Sequence, residues 1–296
     1  MEPNLAIHTA ARRFCIEQDA YWSKEYAELQ SSGKAQVHDR RSSAWHYSDL
    51  AYEMFPRYRL AQATLKEVES ILPQGSNSLN ELRNLLIACG QSALGLLKEE
   101  FRENKTAQRA LSAESSEFIQ FLTSLSFDHL QTVEPLPYQR TLSATESKRV
   151  WADLQSRWGI QGPGYGWFPI SDAIAPAGAV AVHDQLWDSR DGNQLLHQFL
   201  AENSIARCFV VNEINIISTD CEIDSQVVDP LYRGSELFIT ALSDWVLYAS
   251  HESSYTLAGS IADYFRKLWP DCDKLSYGGP FHTSDLRGTW NSSAKL

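Results

Sequence analysis

Apolar residues recur at helical spacing through the first 125 residues of this 296-residue chain, and this period restricts its fold more than any other feature. The clearest example is the segment 79–101, where Ser78 and Glu81 have the spacing of a capping box at a helix start. Apolar positions at i, i+3, i+4 and i+7 place one stripe of a helix against a core. The pattern therefore predicts a bundle of four or five helices.

Residues that end, cap or break helices divide this helical region. Gly33 is expected to end the first helix, because glycine readily adopts the left-handed conformation that closes helices. Ser48 is a predicted N-cap for the second helix, which Pro56 should break or kink. The polar stretch 31–43 between the two helices is predicted to be a connector.

The helical spacing of apolar residues weakens in the stretch 126–142, which contains Pro135 and Pro137. We expect a domain boundary there, between a helical domain over residues 1–135 and a second domain over residues 136–296. Ser143 and Glu146 form a second capping-box pattern, which opens the second domain with a helix that Gly159 should end.

Short apolar runs follow that helix, and Asn212 with Glu213 separates two of them as a plausible hairpin turn. Such runs, interspersed with two further helical patterns, are typical of an antiparallel sheet. The chain is thus predicted to be α+β, with an N-terminal helical bundle followed by a mixed, mainly antiparallel α+β domain. The predicted strands are 179–187, 205–211, 214–218, 238–242, 245–249 and 255–259, and the further helices are 195–200 and 261–269.

The net charge of −11 is unevenly distributed. Residues 1–140 contain 15 Lys and Arg against 18 Asp and Glu, whereas residues 141–296 contain 11 against 19. An acidic surface repels nucleic acid and anionic membranes and attracts a basic partner. It also favours solubility, which is the alternative explanation of the charge.

Other features of the composition exclude several classes of protein. The five cysteines are scattered and form no CxxC pair, so we expect reduced core residues and neither a disulfide framework nor zinc. The N-terminus lacks the basic and apolar regions of a secretory signal, and no uninterrupted apolar run reaches the length of a membrane span. A cytoplasmic protein without a cofactor is the resulting expectation.

Asp220, Glu222 and Asp224 alternate with apolar residues. Side chains two positions apart share one face of a strand, so these carboxylates are expected to project together. They can hold Ca²⁺ or Mg²⁺, bind Lys and Arg of a partner, or protect an edge strand from pairing. The glycine turn and distal glutamate of an EF-hand loop are missing, which disfavours calcium.

A second acidic group consists of Asp184, Asp188 and Asp191. If residues 184–191 are helical, these carboxylates share a face and can form a metal site with a nearby histidine. The residues that follow resemble a turn, which instead favours solvated carboxylates and a helix cap. The candidate histidines are His183 and His197, and the candidate caps are Asp191 and Asn193.

Residues 251–254 bring a histidine, a glutamate and two serines together. Adjacent residues on a strand or turn do not converge on one reacting atom, and the chain has no Gly-x-Ser-x-Gly elbow. A hairpin end with His251 in a hydrogen bond is the simpler interpretation, and hydrolase chemistry is the alternative.

The stretch 162–169 is rich in glycine and aromatic residues. Pro163 removes a backbone donor and no lysine follows, so the stretch does not match a phosphate-binding loop. Tyr165 and Trp167 are expected either to pack at the domain junction or to anchor a partner, since Trp and Tyr dominate many interfaces.

The run from Asp244 to Gly259 contains Asp-Trp, an apolar stretch ending in Tyr248, and Ser-His-Glu-Ser-Ser. It resembles the closing hairpin of uncharacterised bacterial proteins, some of which are similar to immunity proteins of polymorphic or contact-dependent toxin systems. The resemblance implies a cytoplasmic protein without enzymatic activity that binds and blocks a cognate toxin. It assigns no functional residue.

The sequence therefore favours a non-enzymatic binding protein, an immunity or inhibitor protein that occludes a basic partner such as a bacterial toxin. The alternative is a metal-dependent or hydrolytic enzyme with a site near Asp184, Asp188 and His251. The residues predicted to bind the partner are Asp220, Glu222, Asp224, Asp184, Asp188, Tyr165 and Trp167.

Overall fold

The computed structural model describes residues 1–39, 44–160, 178–212, 219–230, 237–250 and 253–272. Tyr165, Trp167, His251 and the predicted strand 214–218 lie outside these ranges. The chain divides into two units, Met1–Leu136 and Pro137–Leu296. The predicted α+β class is confirmed, because the first unit is mainly helical and the second contains an antiparallel sheet.

The predicted helix signals of the first unit are largely confirmed. The Ser48 hydroxyl accepts the N–H of Ala51, and the helix that begins there continues through Pro56 without a break. Ser78 accepts the N–H of Glu81 at 3.2 Å, as a capping residue does. The helices are α1 (Pro3–Ser31), α2 (Asp49–Glu69), α3 (Leu79–Glu100), α4 (Lys105–Ser124) and α5 (Phe127–Gln131).

The prediction of a plain connector at 31–43 is wrong. Strands β1 (Gln36–Asp39) and β2 (Ala44–Tyr47) pair antiparallel across this region and form a separate two-stranded sheet. The Ser48 N–H donates to the carbonyl of Ala35, which fixes the base of the hairpin next to α2. The sequence signal is weak because the hairpin buries little: Trp45 is 63% exposed.

The second unit is built on a seven-stranded sheet with the order β3-β6-β5-β7-β8-β9-β4. Every neighbouring pair is antiparallel, as predicted. Asn212 lies within β5 and pairs with Leu237, so the predicted turn does not begin at this residue. The strands are β3 (Gln139–Thr141), β4 (Val180–His183), β5 (Arg207–Asn212), β6 (Cys221–Asp224), β7 (Leu237–Thr240), β8 (Trp245–Ser250) and β9 (Ser254–Gly259).

Helices cover both faces of this sheet. On one face, Trp151 and Leu154 of α6 (Ala144–Trp158) pack with Phe238 and Tyr248. The alternating residues of the same strands, such as Leu247, point to the other face and pack against the remaining helices. These are α7 (Asp184–Ser189), α8 (Gly192–Glu202) and α9 (Ser260–Leu268).

Two predictions for this unit have different outcomes. The capping box of Ser143 and Glu146 is confirmed, and Gly159 closes α6 in the left-handed conformation. The predicted strand 179–187 is too long, because β4 ends at His183 and α7 follows directly. No helix within the described ranges has the combined length and hydropathy that crossing a bilayer requires.

Gly259 joins β9 to α9 with a φ of +75°, and an added Cβ would lie 1.8 Å from the carbonyl oxygen of Asp244. Gly159 has a similar φ of +71° but has no atom within 4 Å of such a Cβ. We expect Gly159→Ala to cost about 1 kcal/mol of unfolding free energy from backbone strain alone. Gly259→Ala should cost about 2 kcal/mol more, because its ψ of −148° lies outside the left-handed helical region that Gly159 occupies and because overpacking adds to that strain.

Urea unfolding of both variants, followed by circular dichroism, checks this expectation. Equal losses of stability in the two variants would contradict both the backbone strain and the close contact assigned to Gly259.

Candidate functional site

The three carboxylates predicted to project together have three different environments. Asp220 is 3% exposed. It accepts the backbone N–H of Asn212 at 2.9 Å and the indole N–H of Trp151 at 3.3 Å. The hydroxyl of Ser147 donates to the same carboxylate. Asp220 therefore ties α6 to the sheet and does not offer its carboxylate at the surface, which corrects the prediction for this residue.

Glu222 belongs to an ion-pair network within the chain. It accepts from the Tyr138 hydroxyl at 2.9 Å and from the Arg140 guanidinium at 3.1 Å. Arg140 also makes two hydrogen bonds to Glu146, and these bonds are the main reason why the pKa of Glu146 falls to about 2. Strand β6 lies between β3 and β5, so the alternative that the row protects an edge strand is wrong.

Asp224 ends β6 and borders a surface cleft of about 540 Å³. Its Oδ1 atom accepts the backbone N–H of Gln226 at 3.0 Å. Across the cleft, Nδ1 of His197 lies 3.1 Å from the carbonyl oxygen of Ser225. Of the three carboxylates Asp220, Glu222 and Asp224, it is thus Asp224 that borders this cleft, which a small ligand can enter.

Asp184 and Asp188 lie on α7, so the helical alternative for residues 184–191 holds for 184–189. The turn predicted around Ser189, Asp191, Gly192 and Asn193 is confirmed only at residues 190–191, because α8 begins at Gly192. Nδ1 of His183 lies 2.7 Å from Oδ1 of Asp184. The predicted caps do not form: Asp191 precedes α8 without a side-chain capping bond, and Asn193 instead accepts the indole N–H of Trp187 at 2.8 Å.

Asp184 and Asp188 also lie near the ring of Tyr255, together with Asp229. Burial is the first cause that raises the pKa of Tyr255 to about 12, and the three aspartates raise it further. We call Asp184, Asp188 and Asp229 the acidic corner. In the part of the chain that the structure describes, no three histidine, cysteine or acidic side chains are grouped so as to hold a metal ion.

The first unit contains a buried polar cluster that the sequence interpretation missed. Glu114 is 2% exposed and accepts from the indole of Trp22 at 2.9 Å and from Arg57 at 3.2 Å. Nearby, Arg12 and Glu69 form a buried ion pair at 3.0 Å. The sequence contains a signal for this burial. Glu114 lies three residues after Leu111 and four before Phe118, which are both buried, and this spacing places it on the buried face of α4.

A second missed feature is the exposed aromatic side of the β1–β2 hairpin. The Trp45 ring contacts the ring of His38 edge-on at 5.0 Å. Tyr47 stacks on Phe55 of α2 at 6.2 Å, which holds the hairpin base against the helix. Alternation of aromatic residues over only four positions was the available signal, and it is too short to predict a strand with certainty.

Comparison of this chain with protein-family models, with curated proteins and with solved structures returns no match. The resemblance of residues 244–259 to immunity proteins accordingly stays a prediction. Functional assignment depends on the geometry of two places in the second unit, the acidic corner and the cleft beside Asp224.

Asp220 accepts three hydrogen bonds within the chain. In Asp220→Asn an NH₂ group replaces one of the accepting oxygens and faces hydrogen-bond donors. We therefore expect this variant to lower the unfolding free energy of the second unit by about 2 kcal/mol. Asp224→Asn retains an acceptor for Gln226 and should change stability by less than about 0.5 kcal/mol. Thermal and urea unfolding of the two variants measure the difference. A neutral effect of Asp220→Asn would contradict its structural role.

His8 generates a pH-dependent prediction. The residue is buried with Nε2 2.9 Å from the carbonyl of Val68, and burial together with the charge of Arg12 lowers its pKa to about 4. The unfolded chain, with an ordinary histidine pKa of about 6.5, binds this proton more readily. Neutral His8 therefore contributes its full stabilisation of the folded state above about pH 6.5. This contribution is lost as the pH falls, and the loss of unfolding free energy reaches about 3 kcal/mol near pH 4.

Urea unfolding of the wild type and of His8→Gln across this pH range isolates the contribution of His8. Other groups titrate in both proteins and cancel in the difference between the two curves. Parallel curves would show that His8 does not carry the expected linkage.

Proposed function

We propose that this chain is a non-enzymatic binding protein, an immunity-type inhibitor that occludes a basic protein partner such as a toxin in the cytoplasm. The observation that carries the proposal is the acidic corner, where Asp184 and Asp188 stand one helical turn apart at the end of β4. Asp188 is exposed and Asp184 is partly exposed, so both carboxylates are accessible from solvent.

Helix α7, which carries Asp184 and Asp188, is anchored in the core of the second unit. Trp187, between the two aspartates in sequence, is fully buried and stacks on Tyr255 at 4.5 Å and on Phe265 at 5.4 Å. A helix anchored in this way holds the backbone of both aspartates in place before a partner arrives. Preorganisation reduces the ordering cost of binding, which favours a tight complex.

Electrostatics supports the same proposal at long range. The residues from 141 onward contain eight more acidic than basic side chains. Such a field accelerates encounter with a positively charged protein and repels nucleic acid. Tyr255, next to the acidic corner, belongs to the run that resembles immunity proteins. Tyr165 and Trp167 stay predicted aromatic anchors for the partner.

Capture of partners from the native host at low and high salt tests this function. We expect a basic protein to bind at low salt and to dissociate at high salt. Asp184→Asn combined with Asp188→Asn should weaken its affinity at least about tenfold, because close interfacial charge pairs contribute about 1.5 kcal/mol or more.

The matched control is Glu99→Gln combined with Glu103→Gln, which removes the same charge from two glutamates that are 76% and 90% exposed in the first unit. This control should bind like the wild type. Failure to recover any protein at low salt, or equal binding by the two double variants, would contradict the proposal.

A second candidate function is a metal-dependent or hydrolytic enzyme at Asp184, Asp188 and His251. The 2.7 Å contact between His183 and Asp184 favours it, since a paired histidine and carboxylate can act as a base or as ligands. Metal analysis and a hydrolase screen separate the candidates. Stoichiometric metal and turnover that Asp188→Asn abolishes would replace the binding proposal with this one.

A further inference from the structure

The cleft beside Asp224 is lined by one carboxylate, by neutral polar side chains and by apolar side chains. Asp224 contributes a carboxylate, and one of its oxygens, Oδ1, is engaged by the N–H of Gln226. Ser204 and Gln226 add a hydroxyl and an amide, both exposed. The described residues that line the cleft include no lysine or arginine. Its polar side therefore favours a ligand that carries positive charge and N–H donors.

His197 adds a further acceptor. Its Nδ1 lies 3.1 Å from the carbonyl oxygen of Ser225, which has no proton to donate. In the neutral ring Nδ1 therefore carries the hydrogen, and Nε2 is left with a lone pair. The backbone of Ser225 is itself held by a 3.0 Å hydrogen bond from its N–H to Ala206, so the orientation of the ring is fixed.

Part of the lining of the cleft is apolar. Leu200, Ile205 and two alanines form this part where α8 ends and β5 approaches. The N–H of Ile205 donates to the carbonyl of Leu200 at 2.8 Å, and the N–H of Ser204 donates to Ala201 at 3.0 Å, which closes the helix and fixes this wall. An apolar wall that leads to a carboxylate matches a cation on a hydrocarbon stem.

A nearby cation does not occupy this place. Arg207 lies opposite Asp224 in the register of β5 and β6. Its guanidinium, however, lies 3.8 Å from the ring centroid of Tyr138 and 3.8 Å from Oε1 of Glu222. The side chain that would most readily neutralise Asp224 is thus engaged with other groups.

From this arrangement we infer that the cleft between α8 and the ends of β5 and β6 binds an alkylguanidinium group, with Asp224 and His197 as acceptors for its N–H groups. Its volume of about 540 Å³ lies in the range of about 300 to 1,000 Å³ that small-ligand sites occupy. A guanidinium is favoured over an ammonium because its planar fork serves two separate acceptors at once. The group is a free small molecule or an arginine side chain of the partner, and only the second source rests on the proposed function.

A titration followed by backbone amide NMR tests the inference on the intact chain. The probes are butylguanidinium, for a free ligand, and a blocked Gly-Arg-Gly peptide, for a protein side chain. Each is matched by a neutral control, butylurea and the citrulline peptide. We expect saturable shifts at His197, Ser204 and Gln226 with the charged probes, and binding at least about tenfold weaker with the neutral ones.

Asp224→Asn should weaken binding of the charged probes at least about tenfold, because the amide keeps the Gln226 hydrogen bond and removes only the charge. Asp263→Asn, at an 81% exposed carboxylate on α9, is the control of equal charge and should bind like the wild type. Tighter binding of butylguanidinium identifies a free ligand, and tighter binding of the peptide identifies a partner side chain.

The inference is overturned if neither charged probe gives saturable shifts, if the neutral probes bind equally well, or if Asp224→Asn binds like the wild type. Because these titrations need no partner protein, they report on the cleft even when the capture experiment finds no inhibitor function. Loss of the partner with intact butylguanidinium binding would separate the two conclusions.

Discussion

Burial of β8 along its whole length, on both faces, is the constraint on which the second unit depends. A sheet that is apolar on both sides has to be covered twice, and the chain meets this requirement with α6 on one side and α7, α8 and α9 on the other. This strand of the sheet is then closed to ligands. The acidic corner and the cleft, where binding is proposed, lie where helix ends meet strand ends.

The same residue type has opposite roles in this unit according to its surroundings. Asp220, surrounded by three donors, stabilises the contact between α6 and the sheet. Asp184 and Asp188 keep access to solvent on a helix anchored by Trp187. A buried carboxylate is structural when its donors come from the chain itself, whereas an accessible one is available to a partner. Counting acidic residues along the sequence does not separate these cases.

Sequence patterns predicted the parts of the fold that depend on local contacts. Ser48 and Ser143 cap helices because capping involves neighbours three residues away. The environment of Glu222 could not be predicted from the sequence, since its partner Arg140 is 82 residues distant and no local pattern encodes that contact. Helix α7 was read as the end of a strand because six residues are too few to show a helical period.

The order of strands in the sheet also governs how the chain assembles during synthesis. The contacts of the first unit lie within residues 1–136, so this unit can complete its packing before the second unit has been translated. Strand β4, by contrast, pairs only with β9 among the described strands. Its edge stays open until the last strand has been translated. A nascent chain that stalls between the two would leave Val180 and Val182 without their partner strand, and an unpaired strand edge is prone to aggregation.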